Sequence, residues 1–279
     1  MKDKTMSIKS HHRQGVFVEL NGKDATARRG RPDLPCATIS KAITLAQSGD
    51  SIFIGVGRFD IGTSAINIPD NVSLIGKGAT ETTIDSSVDL NGGGVSFCPG
   101  NNTIIRGLTI RVGPTHSGFG ACVGTYTGQK GFVGALADQC ILIGTSDVIY
   151  YHKPEVFKGL TIQGCQMRGQ WDGISLFDGN HKTVVKDSSL ALVGPPQQGD
   201  QTAGCHGVIL SGSGGVIDIR NCSIKVEGPN VGNRGVWNTE FGPNSTINIC
   251  GTTWNVTGTE SKQYDVYSSS TLNVRDTCL

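Results

Sequence analysis

Long apolar runs are missing from this sequence: no stretch approaches ~18 consecutive apolar residues, the length a membrane-spanning helix needs. Charge is sparse as well, at 17% of residues, and 24 basic against 23 acidic side chains leave a formal +1. With no net field of either sign, neither nucleic-acid binding nor membrane insertion is expected. The N-terminal MKDKTMSIKSHHRQG holds no apolar core and no small-residue cleavage site, so it does not read as a secretory signal. A product of the cytosol that stays soluble is the expectation. No CxxC pair occurs among the nine cysteines, which are spread evenly from Cys36 to Cys278. A zinc site or a disulfide framework needs clustered spacing, so most of these thiols read as reduced, buried, small apolar residues. No metal and no cofactor is expected.

What is present is glycine, 40 residues in 279, with an ordinary 37% hydrophobic content. That is about twice the usual glycine usage and points to a turn-rich β protein in one elongated domain. Internal repetition then decides the architecture. The segments TIIRGLTI (103–110), VFKGLTI (156–162), TVVKDSSL (183–190), VIDIRNCSI (216–224), TINICGTTW (246–254) and TLNVRDTCL (271–279) share one form. Each has a β-prone run, a turn residue and a second β-prone run. The turn residues are Gly107, Gly159, Asp187, Asn221, Gly251 and Asp276, with Gly76 and Asp138 in weaker copies. These residue types tolerate a left-handed backbone. Successive pivots lie roughly 20 to 35 residues apart, the size of one solenoid coil. Runs this short cannot bury a face alone, but stacked coils pair each strand with its counterparts above and below.

A second column, DGISLF (172–177), HGVILS (206–211), RGVWNT (234–239) and YDVYS (264–268), falls between the pivots. The expected fold is therefore all-β: a single right-handed parallel β-helix over residues 16–279, preceded by a polar arm at 1–15. Within it, Thr38 to Gln47 carries Ile39, Ala42, Ile43 and Ala46 at helical spacing, stopped by Ser48-Gly49-Asp50. A short helix over 38–47 is expected to cap the N-terminal end of the solenoid, where strand edges would otherwise lie open.

The opening third carries a recognisable order of residues. Val18, Asn21, Gly22, Asp24, Pro35, Thr38, Ile39, Ala42, Ala46, Gly49, Asp50, Ile52 and Gly55 are followed by Pro69, Asn71, Leu74, Ile75, Gly76, Gly78 and Ile84. This order resembles the start of pectin-lyase-like β-helix proteins. The resemblance implies the fold but not the function, since that superfamily includes pectate lyases, polygalacturonases, bacteriophage tailspikes, adhesins and non-enzymatic virion proteins. The polygalacturonase pattern of paired acids is not matched. There is no Asp-Asp pair, and Asn238-Thr239-Glu240 follows Cys205-His206-Gly207 instead of preceding it. No aspartate cluster of the calcium-binding lyase kind stands out, and Asp85 and Asp89 read as turn acids.

If the solenoid carries a site, it lies where equivalent positions on successive coils come within about 4.8 Å. The second column aligns Asp172, His206 and Arg234, with Trp171, Asp178, Trp237 and Glu240 nearby. Asp178, Glu240 and His206 are the candidate catalytic groups; Asp172, Arg234, Trp171 and Trp237 are the candidate substrate contacts. The same residues also read as ordinary strand-start polar side chains and end-of-core aromatics. The loop Val193 to Ala203 would flank the row.

Three functions fit. A non-enzymatic virion or surface protein comes first: a spike, decoration or receptor-binding module on the virion surface that touches cell-surface polysaccharide. It would associate with other virion proteins or with itself as a homotrimer, as the resemblance to phage β-helices implies. A polysaccharide depolymerase, hydrolase or lyase, is the alternative, and a bacterial surface adhesin the third.

Overall fold

The computed structural model describes residues 15–88, 94–113, 120–125, 131–152, 157–177, 179, 181–194, 204–228 and 232–278. The polar arm at 1–14, Asp89, Asp178 and most of the loop at 193–203 lie outside the described residues. The chain winds through three parallel sheets, taking one strand from each per coil. Sheet A has ten strands, from Gly15–Val18 to Thr271–Arg275; sheet B has eight, from Gly57–Asp60 to Thr253–Val256. Sheet C also has eight, from Ile66–Asn67 to Lys262–Val266. This is the parallel β-helix expected from the repeat.

Its core is a set of aliphatic ladders set by register. On sheet A, Ile52, Leu74, Ile105, Ala137, Ile162, Val185, Ile219 and Ile249 are successive register partners, all buried. Sheet B stacks Phe59, Ile84, Ile110, Leu142, Met167, Leu190 and Ile224 in the same way. Sheet C contributes Ile66, Phe97, Val123, Ile149, Ile174, Val208 and Val236. Each fully buried Ile, Leu or Phe stabilises by roughly 1.5–3 kcal/mol, so the ladders dominate the energetics. At the last coil the ladder opens: Trp254, Tyr264, Val266 and Leu272 are only partly buried, and Val274 is 48% exposed.

The helix runs Ile39–Leu45, with Thr38 Oγ1 accepting from the Lys41 amide at its N-cap. Asp24 in turn accepts from the Ala37 and Thr38 amides and the Thr38 hydroxyl. Ile39 and Ala42 face the core, and the helix packs on the first two strands of sheet A, Gly15–Val18 and Ser51–Ile54. It covers the edge that the first coil would expose.

The pivots between sheets A and B follow the sequence expectation at Gly107, Asp187, Asn221 and Gly251, whose φ values are 64, 52, 51 and 55°. Two are displaced. Gln139 and Gly164 (φ 53 and 61°), not Asp138 and Gly159, make the left-handed turns of their coils. Gln163 pairs with Lys186, which sets Gly164 opposite Asp187. Gly159 instead lies inside the seven-residue strand Phe157–Gln163, next to Gly134 of the strand before it, both at φ 75°. Matching KGL to RGL hid the better match of QGC to KDS. Gly76 and Asp276 are not left-handed; a Cβ on Gly76 would lie 2.3 Å from the Gly107 carbonyl oxygen, so close approach selects glycine there.

The residue after five of these pivots, all but Gly107, repeats a second device. Cys140, Cys165, Ser188, Cys222 and Thr252 each donate from the side chain to the carbonyl two residues earlier. Thiol and hydroxyl thus serve the same local role in one column. Seven described cysteines are buried and outside any disulfide, in line with the expectation for most of them. The remaining two, Cys250 and Cys278, are joined in a disulfide. The bond links neighbouring coils beside their turns, a proximity that spacing along the chain does not reveal, and ties down the end of the last sheet A strand. Replacing Cys250 with Ser is expected to cost about 3 kcal/mol, with hydrogen exchange rising first at Thr271–Arg275. Unchanged protection there would show that strand pairing alone secures it.

Candidate functional site

The outer face of sheet C carries the predicted row. Asp172 in strand Asp172–Leu176, His206 in His206–Leu210 and Arg234 in Arg234–Asn238 are consecutive register partners. Each is followed by glycine, at 173, 207 and 235, and a Cβ there would sit 2.5 Å from the carbonyl oxygen on the next coil. The glycines permit the close stacking that brings the polar column into contact.

His206 is 6% exposed. Its Nδ1 lies 2.8 Å from Asp172 Oδ1, which also accepts the His206 amide at 3.1 Å. The imidazole stacks on Trp237, with ring centroids 4.5 Å apart. Arg234 points away along the solenoid: Nε donates to Asp265 Oδ2 at 2.8 Å, and Nη1 donates to the carbonyls of Asn233 and Glu260. Burial works to raise the Asp265 pKa, but the hydrogen bond from Arg234 and the nearby Lys262 ammonium hold it below the usual carboxylate range.

Around this column lies an open cleft of about 720 Å³. Trp171, Trp237, Phe241 and Tyr267 line it together with Asp172, His206, Glu240 and Asp265. Phe241 is 72% exposed, an uncommon position for a large apolar ring. Trp171 and Trp237 are both half-buried at the cleft, and neither fills the core. Glu240 is exposed in the turn after Arg234–Asn238. Asn238 points inward, donating to the carbonyls of Leu210 and Gly242. Arg234 is the one described candidate that does not line the cleft, because Asp265 and two carbonyls claim its guanidinium. Asp178 lies outside the described residues. Asp85 is bridged by Arg58 and Arg111 on sheet B, a structural tie between three coils.

Besides the cleft-lining Phe241 and Tyr267, an acid escaped the sequence reading. Asp147 stands two positions before Ile149, the register partner of Ile174, just as Asp172 stands two before Ile174. The segment DVIYYH (147–152) is therefore a further copy of the DGISLF column, and its D-x-I signature was available. Asp147 is buried and accepts hydrogen bonds from Ser175 Oγ at 2.5 Å and Ser146 Oγ at 2.9 Å. Burial first, then the Asp172 charge, push its pKa up to about 7 against those hydrogen bonds. A buried carboxyl thus stands behind the Asp172–His206 pair and shares its electrostatics. Among the described residues, no group of three or more His, Cys, Asp and Glu gathers as metal ligands would.

The architecture is that of the pectin-lyase-like right-handed parallel β-helices. Pectin methylesterase from carrot superimposes with a TM-score of 0.55 at 13% identity, over 93% of this chain and 87% of that one. The deglycosylated pectin methylesterase from Aspergillus niger gives 0.53 at 12%, over 92% and 89%. The catalytic unit of a GH87 α-1,3-glucanase from Streptomyces thermodiastaticus gives 0.50 at 16%, over 85% and 50%. These likenesses are of fold. No curated protein matches the chain in sequence. Within that architecture, the chain belongs to the family described as a protein of unknown function, DUF1565, whose model matches residues 20–190.

Asp147 makes stability depend on pH. Its folded pKa lies above the ordinary 3.8, so the native state holds a proton that the unfolded chain has released. Its contribution is full below about pH 4 and is lost as pH rises through about 7. Asp147→Asn is expected to flatten that decline, a change of a few kcal/mol across the window. Denaturant titrations of both proteins at the two ends of the window check it; parallel pH profiles would refute the assignment.

Proposed function

We propose that this chain is a glycan-binding β-helix whose sheet C cleft receives a stretch of polysaccharide. The observation that carries the reading is the convergence of Trp171, Trp237, Phe241 and Tyr267 with polar Asp172, His206 and Glu240 around one open cleft. Aromatic faces stack on the apolar faces of sugar rings while carboxylates and imidazole take the hydroxyls. A virion or other surface assembly, self-associated as a homotrimer, is the setting we infer from the resemblance in the sequence. It would place the cleft against cell-surface glycan.

A second reading, polysaccharide cleavage, draws on the Asp172–His206 hydrogen bond at 2.8 Å, which orients an imidazole as a general base does. Glu240 at the same cleft is then the candidate second group.

Trp237→Ala is expected to weaken binding to whichever polysaccharide the protein retains by about tenfold or more, with the fold intact by circular dichroism. Retention that is indifferent to Trp237 would move binding elsewhere. Chain length and reducing ends followed on the same panel separate the two readings. Cleavage lost in His206→Ala or Glu240→Ala would make the chain a depolymerase, and no cleavage by folded protein leaves it a binding module.

A further inference from the structure

Resting on the glycan-binding reading, we infer that the cleft selects its ligand by charge. It takes neutral or amino-bearing saccharides and rejects those carrying uronate, sialate or sulfate groups.

The chain as a whole is nearly neutral, yet the described residues lining the cleft include three carboxylates, Asp172, Glu240 and Asp265, and no Lys or Arg. The cations nearby are already committed. Arg234 donates to Asp265 and to the Asn233 and Glu260 carbonyls, and Lys262 Nζ sits 3.4 Å from Asp265 Oδ1. His206 Nδ1 is engaged by Asp172. An anionic sugar entering the cleft would thus meet carboxylates and, among the described lining residues, no guanidinium or ammonium to pair with, and that juxtaposition is a means of exclusion. The rings act in the same direction. The faces of Trp237, Phe241 and Tyr267 present negative quadrupole density, which attracts an ammonium and opposes a carboxylate. Glu240 carries the most exposed of the three charges, because Asp172 is held by His206 and Asp265 by Arg234. It is therefore the group whose reversal should change selectivity with least effect on the fold.

The test is an array of neutral, amino-bearing, uronate-bearing, sialylated and sulfated polysaccharides, probed at low and high salt with wild type, Trp237→Ala and Glu240→Lys. Wild type is expected to bind neutral or amino-bearing members in a Trp237-dependent way, with the amino-bearing ones weakened by salt. Glu240→Lys, at an unchanged melting temperature, is expected to gain affinity for acidic members by about tenfold and to lose it for amino-bearing ones. Trp237-dependent binding of wild type to acidic members, equal to or above the neutral ones, would overturn the charge selection and leave the glycan reading standing. An array with no Trp237-dependent binding at all would overturn both.

Discussion

Every strand of this molecule depends on backbone hydrogen bonds made to the coils above and below it, in parallel register. A strand of two to seven residues has no stability of its own, and its amides and carbonyls find partners only when the neighbouring coils present theirs at the same height. Register is therefore fixed for the whole body at once. A slip by one residue would turn every inward Ile, Leu and Val of a coil to solvent. Length variation is consequently confined to turns, and the coils differ in size while their ladders stay aligned.

That constraint explains which parts of the structure were legible in the sequence. The ladders repeat, so β-prone runs around a turn residue gave the solenoid, and the Asp172–His206–Arg234 row followed from counting in register. The errors came where local similarity competed with register. Gly159 looks like a pivot beside Gly107, but Leu160 must lie opposite Thr183, and this moves the turn to Gly164. DVIYYH was missed because Tyr150 and Tyr151 stand where DGISLF and HGVILS carry Ser175, Leu176, Ile209 and Leu210, although Asp147 and Ile149 keep the frame. Arg234 holds its place in the row, but it turns to Asp265 of the next copy, YDVYS, and to the Glu260 carbonyl outside the motif. Side-chain direction is a property of neighbours, which an alignment of coils does not supply. Phe241 sits in a turn outside every copy, and Tyr267, though within YDVYS, lies just past a strand end; only the fold brings them to one cleft.

Repetition also governs how polar groups are tolerated inside. After five of the pivots the next residue satisfies a carbonyl near the core, and a thiol, a serine hydroxyl and a threonine hydroxyl all do so in the same column. Three of the cysteines, Cys140, Cys165 and Cys222, thus owe their places to coil geometry. Buried thiols are pushed up in pKa by desolvation at Cys122 and Cys222, which keeps them protonated and unreactive. Glycine at 173, 207 and 235 answers a different demand in sheet C, where carbonyls of the next coil approach too closely for a side chain.

Asp147 is the place where these rules are broken. Its column position is occupied on later coils by Asp172, His206 and Arg234; Asp147, like His206, is buried, but it is a carboxyl there, accepting from two serine hydroxyls and, among the described residues, from no cation. A carboxyl in that setting opposes folding once it ionises, and an apolar residue would pack there without that cost. The Asp172 charge at the adjacent height raises the Asp147 pKa, while Asp172 is itself hydrogen-bonded to His206. Departures from local rules concentrate at functional sites, and the departure here lies behind the polar and aromatic cleft on the outer face of sheet C. The solenoid supplies the column; the buried carboxyl sets the charge behind the imidazole at its centre.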